Sequence, residues 1–215
     1  MMNKKSGLLV SFIVCSLLSQ AQSIKPNLQE LDKWNIVNRT AVAVNEDGKN
    51  AVKLNEVPND GQVILKGIEF SNGTIEVDIK GKNVLQQSFV GIAFHGIDDK
   101  TYDAIYFRPF NFMNADTIRR WRAVQYISMP EYPWEKLREK FPGKYENKVN
   151  PVPDPDGWFH VKIVVDGKKV TVFVNGAQTS SLAVEKLTST TTGSIALWVG
   201  NNSGGNFANL VVTPK

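Results

Sequence analysis

Three alternating segments between Ser88 and Ser128 constrain the fold of this chain more than any other stretch. In the first, Val90, Ile92 and Phe94 alternate with Gly91, Ala93 and His95. In the second, Ile105 and Phe107 alternate with Tyr102, Ala104, Tyr106 and Arg108. The third sets Val124 and Tyr126 against Ala123 and Gln125. Side chains two apart on a strand share a face, so this spacing predicts one apolar face and one hollow, polar face. Laid side by side, the strands are expected to carry His95, Tyr106, Arg108 and Gln125 around a floor of Gly91, Ala93, Ala104 and Ala123. A concave surface of that kind suits a polar ligand.

The rest of the chain repeats the strand period. Residues 34–54 read as two short strands meeting at Glu46-Asp47-Gly48, where glycine supplies the positive φ of a tight turn. A strand over 62–65 precedes an alternating run in which Ile75, Val77 and Ile79 point one way and Thr74, Glu76, Asp78 and Lys80 the other. Hairpin signals recur at Asp166-Gly167 and Asn175-Gly176, and two more strands are separated by Asn201-Asn-Ser-Gly-Gly. Many short strands with glycine turns imply an all-β, antiparallel jelly-roll sandwich. The exception is the connection over 129–157, where Pro133 suits the first turn of one short helix over 134–140 and Phe141-Pro142-Gly143 stops it. Leu137, Trp134 and Phe141 share a face of that helix. A connection this long and aromatic is expected to form a lid or wall beside the concave face, contributing Tyr132 or Trp134, whose flat rings can stack on a sugar.

Residues 1–22 read as a signal peptide. Lys4 and Lys5 precede an apolar run from Leu8 to Leu18, too short to span a bilayer, and Ser19 and Ala21 place small residues before a cleavage point. The protein is therefore expected to be exported, periplasmic or extracellular, with a polar leader over 23–33 and one domain over 34–215. Cys15, the only cysteine, lies inside the apolar run, so the mature chain has no disulfide and its stability must come from its core. About 190 remaining residues suit a single domain, and no second apolar segment suggests a membrane span. The formal charge falls from +4 to +2 once Lys4 and Lys5 leave. Basic and acidic residues are interleaved, which argues against a nucleic-acid partner.

Two acidic residues on one strand, Glu76 and Asp78, resemble the nucleophile and helper of laminarinase-type glycosidases, but the further glutamate that would donate a proton is missing. They are expected to lie on a solvated strand face, as is His160. No zinc spacing, phosphate loop or serine elbow is present, and no cofactor is expected. Asp154-Pro-Asp156-Gly157 supplies two carboxylates and a turn glycine, without the remainder of a calcium loop.

The run Gly67-Ile-Glu-Phe-Ser-Asn-Gly-Thr-Ile-Glu-Val-Asp, with Phe89-Val-Gly-Ile-Ala-Phe, Tyr106-Phe-Arg, Trp158-Phe-His-Val-Lys-Ile-Val-Val, Val174-Asn-Gly and Gly193-Ser-Ile-Ala-Leu-Trp, resembles the concanavalin A-like lectin/glucanase superfamily. Within it, the chain looks most like bacterial 3-keto-disaccharide hydrolase-type domains and the related laminin G-like modules. The resemblance implies two sheets with a saccharide ligand recognised on the concave face, and it leaves room for a structural calcium ion. Members of the hydrolase type often carry arginine where His95 stands and Glu-Val-Gln where this chain has Ala123-Val124-Gln125. Gln125 fits, but Ala123 replaces the acid.

Alternatives remain open on the sequence. As a binding module, the chain would use Tyr106, Arg108, Gln125 and loop aromatics. As a glycoside hydrolase, it would use His95, whose unperturbed pKa lies near neutrality, as acid/base, with an acid from Glu131 or Glu135. As a laminin G-like module, it would bind protein through an apolar patch. Arg108 can hold a hydroxyl pair or a sugar carboxylate, or can pair with Asp103, Asp116 or Glu131. Arg119, Arg120 and Arg122, beside Trp121, form either a solvated face or, near a pocket, a site for anionic glycans. The sequence specifies neither the sugar nor the oligomeric state.

Overall fold

The computed structural model describes residues 22–215; the expected signal segment, apart from Gln22, lies outside the described residues. The strands are β1 (Trp34–Val37), β2 (Ala41–Glu46), β3 (Lys49–Leu54), β4 (Gly61–Leu65), β5 (Gly73–Lys80), β6 (Val90–Gly96), β7 (Tyr102–Phe107), β8 (Val124–Met129), β9 (Glu146–Asn147), β10 (Trp158–Asp166), β11 (Lys169–Val174), β12 (Leu182–Glu185), β13 (Ser194–Val199) and β14 (Gly205–Pro214). They pair antiparallel in two seven-stranded sheets, ordered β1-β4-β13-β6-β7-β8-β9 and β12-β11-β10-β5-β14-β3-β2. The jelly-roll sandwich implied by the alternating pattern is the fold observed.

Alternation decides which side chains fill the space between the sheets. Ile75, Val77 and Ile79 of β5 are fully buried, as are Val90, Ile92 and Phe94 of β6 and Ile105 and Phe107 of β7. Phe107 packs edge-on against Phe159 of β10 at 5.2 Å between ring centroids, a favoured aromatic geometry. On the outer side of the second sheet, Glu76 and Asp78 meet His160 as a polar surface cluster.

Three local features differ from the sequence pattern. The 34–54 run is three strands, because Asn38 at φ 49° turns the chain after β1, which pairs with β4 in one sheet while β2 and β3 join the other. The segment after Arg108 holds two single-turn helices, α1 (Pro109–Phe112) and α2 (Thr117–Arg120). Proline starts α1, and the Asp116 carboxylate caps α2 by accepting from Ile118 N. These turns are too short for a helical period to register in the sequence. The helix α3 (Trp134–Lys140) forms where expected and buries Leu137 against the sandwich. The 23–33 segment also packs on the fold: Ile24 exchanges backbone hydrogen bonds with Val212, and Leu28 is buried.

Candidate functional site

The register of the first sheet lines up Gln62, Trp198, Gly91, Tyr106, Gln125 and Glu146 across β4, β13, β6, β7, β8 and β9. They share the outer face. Gly91 is required in this row: a Cβ there would stand 2.1 Å from Ile105 O and 2.6 Å from Tyr106 Cα. Its absence lets the Tyr106 and Trp198 rings meet on either side, with centroids 5.0 Å apart. Trp198 Nε1 donates to Tyr102 Oη at 3.0 Å, fixing the indole. The floor is thus aromatic. Ala93, Ala104 and Ala123, expected to form it, line neither cavity on this face.

Arg108 follows β7 and turns its guanidinium into the same face. It donates to Tyr106 Oη at 2.5 Å, to Arg122 O at 2.9 Å and to Gln125 Oε1 at 3.4 Å. Gln125 is locked in turn by donating to Tyr126 O and Tyr145 O. Burial pushes the Tyr106 phenol up to about 12 and lowers the Arg108 guanidinium from its ordinary value. The phenol is a neutral hydrogen-bonding group at any physiological pH. Glu146 sits beside this network, held by Arg138 through two hydrogen bonds of 3.0 and 2.6 Å.

Two adjoining cavities open above this floor and share Phe89 and Trp134 as walls. One, of about 280 Å³, is lined by Arg108, Arg119, Arg122, Arg138, Asn111 and Asp116, among others. The second, of about 300 Å³, is lined by Tyr106, Trp198, Ile127, Met129, Asp60 and Glu135, among others. Trp134, on the first turn of α3, is 39% exposed at the junction. The Arg138 guanidinium packs over its ring at 4.7 Å from the centroid, a cation–π arrangement. Asp60 has its carboxyl raised above the ordinary value, chiefly by burial and further by the charge of Glu135, although Arg39 opposes the shift.

The structure brings together four of the residues singled out from the sequence, Tyr106, Arg108, Arg122 and Trp134, with Gln125 directly behind Arg108. It places two elsewhere. Tyr132 bridges back to Ser128 and lies under Lys136, lining neither cavity. His95, expected on the concave face, points between the sheets. Along β6 the register advances three residues, Ala93 to Gly96, while β13 advances two, Ala196 to Ser194, and His95 sits in this bulge at φ 52°. A bulge puts two successive side chains on one side, so His95 joins Phe94 in the core, with ring centroids 5.1 Å apart, and is 1% exposed. It has no access to either cavity and is not positioned as an acid/base for a ligand there. Glu131 is an exposed partner of Lys136, whereas Glu135 does line the second cavity.

Several residues at the site were not singled out. Trp198 shares the alternation of Ala196 and could have been placed by extending the face argument to β13. Asp60 belongs to a turn and Glu146 to a two-residue strand, and neither position carries a periodic signal. In the Asp154-Pro-Asp156-Gly157 turn, Asp154 Oδ1 accepts from Asp156 N and Asp156 Oδ1 from Asn83 N, so each carboxylate caps a backbone turn. Among the described residues no group of three or more His, Cys, Asp or Glu side chains could hold a metal ion.

Residues 26–213 match the family described as the 3-keto-alpha-glucoside-1,2-lyase-like domain. The chain belongs to this family. It shares the concanavalin A-like sandwich with solved structures of low sequence identity. A carbohydrate-binding module, CBM66 from Bacillus subtilis, superposes with a TM-score of 0.60 at 14% identity, covering 84% of this chain and 96% of that one. A Bacillus subtilis protein described as galectin-like in fold gives 0.59 at 11% identity, covering 92% and 99%. A structure described as a putative glycosyl hydrolase from Parabacteroides distasonis gives 0.56 at 13% identity, covering 88% and 92%. A search of curated protein sequences returns no match.

Proposed function

We propose that this family member is an exported carbohydrate-active protein that binds a short saccharide across the two cavities on the outer face of its first sheet. The observation that carries this is the shared wall: Trp134 and Phe89 border both cavities above the paired rings of Tyr106 and Trp198. Flat aromatic faces beside a few fixed polar groups are the usual means of holding a sugar ring. The family description, and the carbohydrate-binding and glycosyl hydrolase descriptions of similarly folded proteins, support the same ligand class. Export rests on the leader read over 1–22.

A second reading, cleavage of a glycosidic or keto-sugar bond, is favoured by Asp60. A carboxyl whose pKa burial raises is better matched to donating a proton to a leaving oxygen, and Glu135 lines the same cavity as a second carboxylate. Native mass spectrometry with neutral, acidic and 3-keto disaccharides tests both readings, because it detects adducts and released products together. Adducts without products support the binding module. Products that vanish in Asp60→Asn establish the enzyme. If neither appears, the saccharide reading is wrong.

A further inference from the structure

We propose that the arginine-lined cavity takes the carboxylate of an acidic saccharide, with a uronic acid seated there and a neutral sugar joined to it in the adjoining cavity. The inference rests on saccharide binding at this face. Four arginines line the first cavity, and Asp116 is the carboxylate among its lining residues. Glu146 stands close behind but is already committed to the two hydrogen bonds from Arg138. Arg108 is 5% exposed, and Glu146, 4.0 Å away, is the only carboxylate near its guanidinium among the described residues. The hydrogen-bond partners of Arg108, which are Tyr106, Gln125 and Arg122 O, are all neutral, so a ligand carboxylate in the cavity would add a direct ionic partner to a buried charge.

Two further features suit an acidic sugar. Arg122 reaches Glu146 only at 3.7 Å, and its side chain is 38% exposed, so its planar fork is available to a ligand. Planar guanidinium groups favour bidentate pairing with carboxylates. Asn111 lines the same cavity at 4% exposure; its Nδ2 donates to Arg122 O at 3.0 Å, while its Oδ1 is buried with no hydrogen-bond partner among the described residues. An unpaired buried acceptor beside a cationic cavity is ready for a sugar hydroxyl. The second cavity has the opposite character. Glu135 on its wall would repel a second anion, and the aromatic and aliphatic side chains around it would accept the apolar face of a neutral ring.

The test is isothermal titration calorimetry of the whole chain with a uronate-ended disaccharide, its methyl ester and a sulfated counterpart. The acid is expected to bind about tenfold more tightly than its ester, a gap that falls to about twofold in Arg122→Gln and shrinks in high salt. The Arg122 side chain can be changed without losing the backbone carbonyl that holds Arg108 and Asn111. Arg119→Gln, on the wall of the same cavity and without backbone contacts to Arg108 or Asn111, provides a second variant should Arg122→Gln fold poorly, and it is expected to narrow the gap in the same sense. Equal binding of acid and ester would overturn the carboxylate assignment while leaving saccharide binding intact. Preference for the sulfated sugar would also overturn it. If no sugar of the set and no neutral disaccharide binds, both the assignment and the saccharide reading fall.

Discussion

Lys186 Nζ lies 2.5 Å from His95 Nδ1 and 3.2 Å from the Asp103 carboxylate, and all three side chains are buried between the sheets. His95 Nε2 donates to Ser71 O at 2.7 Å, so Nδ1 is left to accept from the ammonium. Burial would raise the Asp103 carboxyl, but the hydrogen bond from the Tyr126 hydroxyl and the Lys186 charge act against it, and the carboxyl stays below its ordinary range. The cluster ties the segment after β12 to β6, β7 and β8. Its role is in stability. Lys186→Met is expected to cost about 3–5 kcal/mol by stranding a buried carboxylate, which lowers Tm by about 10 °C for a chain this long. Saccharide affinity should stay within about twofold, since no member of the cluster lines either cavity. Calorimetry showing an unchanged Tm would contradict this assignment.

On the opposite surface, His160 Nδ1 lies 2.8 Å from Asp78 and Nε2 3.2 Å from Glu76. Hydrogen bonding to Asp78, and then to Glu76, raises the imidazolium above its ordinary pKa despite some burial. A raised folded-state pKa stabilises the fold fully below the unfolded value, and this contribution is lost as pH rises through the folded value. His160→Gln should therefore lower Tm more at about pH 5.5 than at about pH 9. A loss of the same size at both pH values would show that the charge of His160 contributes nothing.

Asp60 should behave in the opposite sense. Its carboxyl is raised in the folded protein, so stability falls as pH climbs from the unfolded carboxylate value through the folded one. Asp60→Asn is expected to be more stable than the parent at pH 7, with the advantage fading toward about pH 3. Any turnover of sugars in the second cavity should drop by about 10²-fold or more in the same variant. A pH-independent change in Tm would mean that burial does not perturb Asp60.

The sandwich was legible in the sequence because period-two alternation in β5, β6, β7, β8 and β10 marks its buried faces directly. The helix at 134–140 was legible because Pro133 and Phe141-Pro142-Gly143 bound it. The cavity wall was only partly legible: Tyr106, Arg108 and Gln125 follow from strand parity, and Trp134 from its place in an aromatic connection. His95 was misplaced because parity holds only while the ladder is regular. One extra residue in β6 reverses the face, and Gly96, the one local hint of a bulge, reads equally as the turn that ends the strand. Asp60, Glu146 and Arg138 come from a turn, a two-residue strand and a short helix. Tertiary packing brings them to the site, and no local period encodes that.

The most direct test of saccharide binding at this face is calorimetric titration of the protein and of Trp134→Ala with the disaccharide that gives the strongest native adduct. Trp134 is partly exposed at the junction of both cavities, so its removal leaves the core intact while deleting the shared wall. Affinity is predicted to fall about tenfold with Tm nearly unchanged. Unchanged affinity in Trp134→Ala would contradict the placement of the ligand across these cavities.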